Sequence, residues 1–192
     1  MSNDTPRHGD WITVHSGRRF YPLDPRAEDI DIHDIAHALS MVCRFTGHVS
    51  RFYSVAEHSI HVAYHIEAET GDRALALCGL LHDASEAYLC DVARPVKRMP
   101  EMAAYREAES RVEAVIAAKF GLPYPLPAIV KHHDERALMT ERRDLVPGAS
   151  LSGWTGNVVE PWPEPLGSSG APDWEDVRDA FLADFARLTG AL

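Results

Sequence analysis

The chain has 192 residues, 45% apolar and 25% charged, with a formal net charge of −10, a soluble globular composition long enough for one domain with a sizeable core. A chain this acidic does not track a long nucleic acid by bulk electrostatics, so a phosphate ligand must meet a local cluster of Arg, Lys or metal, which favours a small molecule. No segment reaches the ~20 apolar residues of a membrane span, and the polar stretch Met1 to Asp10 lacks the apolar run of a signal peptide.

In chain order, residues 11–22 alternate around Ser16-Gly17 with aromatic flanks, which predicts a short β-hairpin inside an N-terminal extension over residues 1–30. Asp31 caps a first helix carrying Ile32, Ile35, Leu39 and Val42 at helical spacing. Ser54-Val-Ala-Glu57 is a capping box that opens a second, with Val55, Val62 and Ile66 on its apolar face and Ser59 between them. Ala74 to Ala87 is mostly apolar (Leu75, Leu77, Cys78, Leu80, Leu81) and predicts a helix buried nearly all round. Pro100 opens a fourth helix, with Tyr105, Ala108, Val112, Val115, Ile116 and Phe120 inward, and Gly121 ends it. A fifth runs from near Pro127 towards Leu145. Residues 147–172 are rich in Pro, Gly and Ser and read as a lid, a binding loop or disorder, with room for a short strand near Val158. Asp173 starts a sixth helix, with Trp174, Val177, Phe181, Phe185 and Leu188 on one face and Gly190 as its stop. That face serves either internal packing or a homo-oligomer. The expected fold is all-α: one helical-bundle domain over 1–192 with a small N-terminal hairpin, a long loop at 147–172 and a final helix at 173–190.

Three cysteines, Cys43, Cys78 and Cys90, fit neither a zinc ribbon nor a disulfide framework. Cys78 reads as a small core hydrophobe, and a reducing, cytoplasmic setting fits best.

Eleven histidines include three His-Asp dipeptides, at 33–34, 82–83 and 133–134. His82-Asp83 follows an apolar helical run directly, so its polar end points inward. Burying an imidazole and a carboxylate together is costly unless they are paired or hold a metal. Glu86 lies at i+4 from His82 and i+3 from Asp83, which places three ligating or proton-carrying groups on one helical patch. A plain core hydrogen bond is the competing account of the pair. His58 sits in the first turns of the second helix; alone it reads as structural, as do His61 and His65 as solvated or interdomain rings. Asp134 lies five residues after Ile129 and four before Leu138, so it can face inward; alone it reads as a surface carboxylate. Taken together, His58, His82, Asp83 and Asp134 offer two imidazoles and two carboxylates from three helices. Such a set suits a divalent ion: Mn²⁺, Fe²⁺, Co²⁺, Ni²⁺ or Zn²⁺.

At these residues the sequence resembles the HD-domain phosphohydrolase superfamily, whose signature is H…HD…D, and within it the bacterial 5′-deoxynucleotidases and phage dATP triphosphohydrolases. The resemblance is carried by Ser54-Val-Ala-Glu-His-Ser-Ile-His-Val-Ala63, Leu81-His-Asp-Ala-Ser-Glu86, Asp91-Val-Ala-Arg-Pro-Val-Lys97, Ile129-Val-Lys-His-His-Asp134 and the helix end at Arg44-Phe45. It implies that His58, His82, Asp83 and Asp134 are metal ligands and that Glu86 orients or deprotonates the attacking water. It further implies that Asp91 belongs to the sugar–phosphate pocket, that Arg44 clamps a phosphate and that Lys97 contacts the phosphate chain. Where relatives place Trp after the Arg, this chain has Phe45, a position that packs on sugar and base. Arg94 stands where relatives often have a small hydroxyl residue, and an added cation there either favours a longer phosphate chain or points to solvent.

The implied reaction is hydrolysis of the 5′-phosphate ester of a (2′-deoxy)nucleotide at the α-phosphorus, from a monophosphate or a triphosphate, with Mg²⁺ a further option for the latter. The expected partner is a small nucleotide, with no long nucleic acid and no membrane. The competing functions are a phosphodiesterase on a cyclic or dinucleotide and a non-catalytic nucleotide sensor. The first needs a second metal or a wider groove. The second ordinarily loses a ligand or the Glu, and here all five residues are present.

Overall fold

A computed structural model describes residues 6–152, 154, 156–167 and 171–190. Its elements in chain order are strands β1 (Ile12–Thr13) and β2 (Arg19–Phe20), then helices α1 (Ile32–Met41), α2 (Val55–Thr70), α3 (Arg73–Leu80), α4 (Glu86–Leu89), α5 (Arg94–Lys97), α6 (Ala103–Phe120), α7 (Ala128–Leu145) and α8 (Trp174–Thr189). The architecture is all-α apart from the antiparallel hairpin, which pairs Ile12 with Phe20 and Thr13 with Arg19.

Local chemistry sets most of the boundaries. The Asp31 side chain accepts from His33 N at 2.9 Å to start α1. Ser54 Oγ accepts from Glu57 N at 3.1 Å to start α2. The box predicted there closes only on that side, because the Glu57 carboxylate turns to Arg51 at 2.7 and 3.0 Å. At the other end of α6, Gly121 adopts a left-handed φ of 69°, which a side chain would strain.

The predicted helix over 74–87 is divided. α3 stops at Leu80, residues 81–85 form turns, and Glu86 opens the short α4. The cause is the His82 ring, whose Nδ1 pairs with Gly79 O at 2.7 Å. In a continuing α-helix that carbonyl would receive the N–H of residue 83. Bonds from Ala84 N to Leu81 O and from Glu86 N to Asp83 O carry the chain round instead. His82, Asp83 and Glu86 therefore share a turn, not a helical patch.

The main core joins Ile35 and Leu39 of α1, Val55 and Ala63 of α2, Leu77 and Leu80 of α3, and Val177, Phe181 and Leu188 of α8. The apolar face of the last helix is thus buried within the chain. The hairpin docks on the same core: Phe20 is fully buried and stacks on Tyr88 with ring centroids 3.9 Å apart. Ser16 secures it, donating from N and Oγ to Asp34 at 2.7 and 2.9 Å.

No described residue of 147–172 lies in a helix or strand, so no strand forms around Val158. The segment is nevertheless anchored. Trp162 is 2% exposed and packs among Val62, Ile66, Val130 and Ala137. Its N–H donates to Thr140 Oγ1 at 2.9 Å, and its carbonyl accepts from Arg143 at 2.7 Å. No helix of the described residues is long and apolar enough to cross a membrane.

Candidate metal centre

α2 carries His58 in its first turns, the turn after α3 carries His82 and Asp83, and α7 carries Asp134. His58 is fully buried, and its Nδ1 meets Glu141 Oε1 at 2.5 Å. With the Nδ1–H of each ring committed, to Glu141 and to Gly79 O, the two Nε2 atoms turn towards each other at 3.2 Å. Asp83 Oδ2 lies 3.6 Å from His58 Nε2 and 3.2 Å from His82 Nε2. Asp134 Oδ1 lies 3.5 and 3.9 Å from the same two nitrogens. One donor atom each from His58, His82 and Asp134 falls within a 4.8 Å group. Donors bound at about 2.0–2.2 Å to one ion sit about 3–4 Å from one another, so the spacing fits. Two facing imidazole nitrogens flanked by two carboxylates are unfavourable without a positive charge among them, and the donor types suit a divalent transition ion.

The electrostatics agree. Burial and Arg44 would depress the His58 imidazolium, but Glu141 and Asp134 outweigh them and hold it at about 9. Burial would raise Asp83, yet His82 and then His58 draw it well below the usual carboxylate range. Asp134 is lowered in the same way, by His58 and His82 against burial. The centre keeps its carboxylates ionised and draws positive charge to His58 Nε2. A proton answers that demand in part, and a divalent ion answers it more fully.

The centre opens into a cleft of about 470 Å³ whose lining includes Arg44, Phe45, Asp83, Glu86, Asp91, Arg94, Lys97 and Asp134. Eight of the ten candidate site residues read from the sequence line the cleft; His58 and His82 do not line it but share the donor cluster with Asp134. Arg44 is 8% exposed, held by Glu141 at 3.1 Å and Asp83 at 3.5 Å. Phe45 and Thr46 follow with φ of 55° and 53°, left-handed values that cost non-glycine residues about 1–3 kcal/mol each. That twist lets the successive side chains Arg44, Phe45 and Thr46 all line the cleft. Glu86 is buried, and its Oε2 has no protein partner. Burial, then Asp83 and Asp91, push it up to about 10. Asp91 is raised chiefly by burial, with Arg44 opposing. Lys97 pairs with Glu109, whereas the Arg94 guanidinium makes no hydrogen bond or ion pair among the described residues.

Sequence reasoning missed four residues. Glu141 is fully buried between His58 and Arg44. Its signal was present: it follows Asp134 by seven residues, two turns along the same face. Lys131 caps Asp134 Oδ2 at 2.6 Å from one turn upstream. Arg142 and Trp154 complete the far wall of the cleft. The other histidine motifs lie elsewhere. Asp34 secures the hairpin, His65 stacks on Trp162 at 3.7 Å, and His133 is buried with its Nε2 3.3 Å from Glu69.

No family model matches the chain. It is 42% identical over 135 residues to the uncharacterized protein YfdR of Escherichia coli (strain K12), an alignment covering 70% of the chain and 72% of YfdR. It is also 42% identical over 126 residues to an uncharacterized protein of Rhodobacter capsulatus, covering 63% of each. Neither name states an activity.

Proposed function

Because the chain belongs to the family of E. coli YfdR, whose name assigns no chemistry, its function must be sought in its own site, and we propose a metal-dependent phosphohydrolase of the HD type that cleaves the 5′-phosphate ester of a (2′-deoxy)nucleotide. The observation that carries this is a cation-seeking cluster that meets, through Asp83 and Asp134, a cleft also lined by Arg44, Arg94 and Lys97. An acidic chain that gathers cations around one cavity favours a small, multiply charged anion there.

His58, His82, Asp83 and Asp134 would hold the ion. Bound there, it would lower the pKa of water, polarise a phosphoryl oxygen and offset the negative field at Glu86. Arg44, pre-oriented by Glu141, presents a planar fork to the equatorial oxygens of the reacting phosphoryl group. Ionised once that offset brings its carboxyl down, Glu86 would take the proton of the attacking water at its unpartnered Oε2. The water oxygen forms the new bond to the α-phosphorus. The bond to O5′ breaks with its electron pair on O5′, which takes up the proton that Glu86 removed from the water. A monophosphate yields nucleoside and phosphate; a triphosphate yields nucleoside and triphosphate. Both break the same bond, so one set of residues serves both. Asp91 and Phe45 are assigned to the sugar, and Arg94 and Lys97 to a longer phosphate chain.

The test is a panel of dNMPs, dNTPs and their ribo counterparts with Mn²⁺, Co²⁺, Zn²⁺ or Mg²⁺, separating phosphate from triphosphate release. Turnover is expected with at least one transition ion, and Asp83→Ala is expected to lose both bound metal and turnover. An active Asp83→Ala protein with full metal content would remove the centre from the reaction. Failure to release either product from any nucleotide would end the hydrolase assignment.

A further inference from the structure

α7 forms one edge of the cleft. Asp134, Leu138 and Arg142 all line it at intervals of four residues, so they follow one face of the helix. From Asp134 to Arg142 is eight residues, about 12 Å along the axis. That is on the order of the length of a nucleoside monophosphate. At the far end the Arg142 guanidinium lies over the Trp154 ring, 4.2 Å from its centroid, and both groups line the cleft.

Trp154 is held in place from several directions. Its backbone N donates to Leu151 O at 3.0 Å, and its Nε1 donates to Asn157 O at 3.3 Å. Asn157 Nδ2 in turn reaches Glu135 of α7 at 2.9 Å. Arg142 also donates to Ser150 O at 2.8 Å. Gly156 packs against the indole so closely that a Cβ there would fall 2.8 Å from Nε1 and 2.9 Å from Cε2. The ring is held on a loop yet only partly buried, and it lines the cleft.

Given the nucleotide-hydrolase reading, on which this rests, we infer that the Trp154–Arg142 pair is the platform on which the nucleobase stacks. The phosphate then lies at the Asp134 end and the base at the Arg142 end. An indole and a guanidinium both present flat faces to an aromatic base, and such stacking tolerates any of the bases. The platform supplies base affinity from the 147–172 segment, at a wall remote in sequence from Arg44-Phe45.

The experiment compares the deoxynucleoside 5′-monophosphates and 5′-triphosphates of all four bases with deoxyribose 5-phosphate, which has no base. Equilibrium binding by calorimetry and, separately, turnover are measured for the unmodified protein, Trp154→Ala and Trp154→Phe. Trp154→Ala is expected to weaken nucleotide binding about tenfold, leave deoxyribose 5-phosphate unchanged, and be largely restored by Trp154→Phe. Parallel losses for nucleotide and sugar phosphate, or no loss for the nucleotides, would overturn the platform. Trp154-dependent nucleotide binding without release of phosphate or triphosphate would instead sink the hydrolase reading and leave the platform standing. Binding of none of the mono- or triphosphates would overturn both.

Discussion

Glu141 serves two partners with one carboxylate. It accepts from His58 Nδ1 at 2.5 Å and from Arg44 Nε at 3.1 Å, with no solvent exposure. Burial alone would raise its carboxyl, but Arg44 and then His58 hold it below the ordinary range. It thereby orients the His58 imidazole and the Arg44 guanidinium together, so in the proposed reaction one group would set both the metal ligand and the anion clamp. Glu141→Gln keeps the shape but removes the charge, leaving Arg44 without its main counterion. Affinity for Mn²⁺ or Co²⁺ is expected to fall by about 10- to 100-fold, read by competition against a chelating dye. Unchanged affinity would mean that Glu141 only fills space.

Between elements, the decisive contact is α3 on α2. A Cβ on Gly79 would fall 2.7 Å from Ile66 Cδ1 and 3.2 Å from Ala63 Cα, and the second neighbour is backbone. Alanine would gain up to about 1 kcal/mol of helix propensity. Overpacking costs about 1–3 kcal/mol and wins, because the α2 backbone cannot turn aside as a side chain would. The Gly79 carbonyl also orients His82. Gly79→Ala is therefore expected to lower the melting temperature by several degrees and to weaken metal binding with it. A rise in melting temperature would show that the close approach is not limiting.

The same region shows why some elements were legible in the sequence and others were not. α1, α2, α6, α7 and α8 begin or end at residues that act locally, such as Asp31, Ser54, Gly121, Pro127 and Gly190. The end of α3 depends on a side chain reaching back to Gly79 O, which no periodicity encodes. α4 and α5, four residues each, are too short to display a period. Of the cluster, His82-Asp83 stands out because it follows an apolar run, whereas His58 and Asp134 read as structural and surface groups until taken together with it. Trp154 is not legible, because its position is set by contacts within a loop that has no period.

Across the molecule, Trp162 fastens its part of the loop to α2 and α7, eight residues beyond the Trp154 that lines the cleft. The Trp162 ring is covered by His65, with centroids 3.7 Å apart and planes 13° apart. Burial, then His61 and His133, depress His65 from the usual 6.5 to about 4. In the unfolded chain the ring titrates near 6.5, so between these values the unfolded state binds more protons. The stability contribution is complete above about pH 6.5 and is lost as the pH falls through 4. His37 is shifted in the same direction, mainly by burial, and adds to the loss. His65 is only half-buried, so solvent screening trims its share to about 1 kcal/mol. His65→Phe keeps a flat ring on Trp162 and removes the proton site. The unmodified protein is expected to lose melting temperature between pH 7 and 4.5, and the variant to lose about 2–4 °C less over that window. Equal losses in the two proteins would mean that the Trp162 anchor is indifferent to the charge of His65.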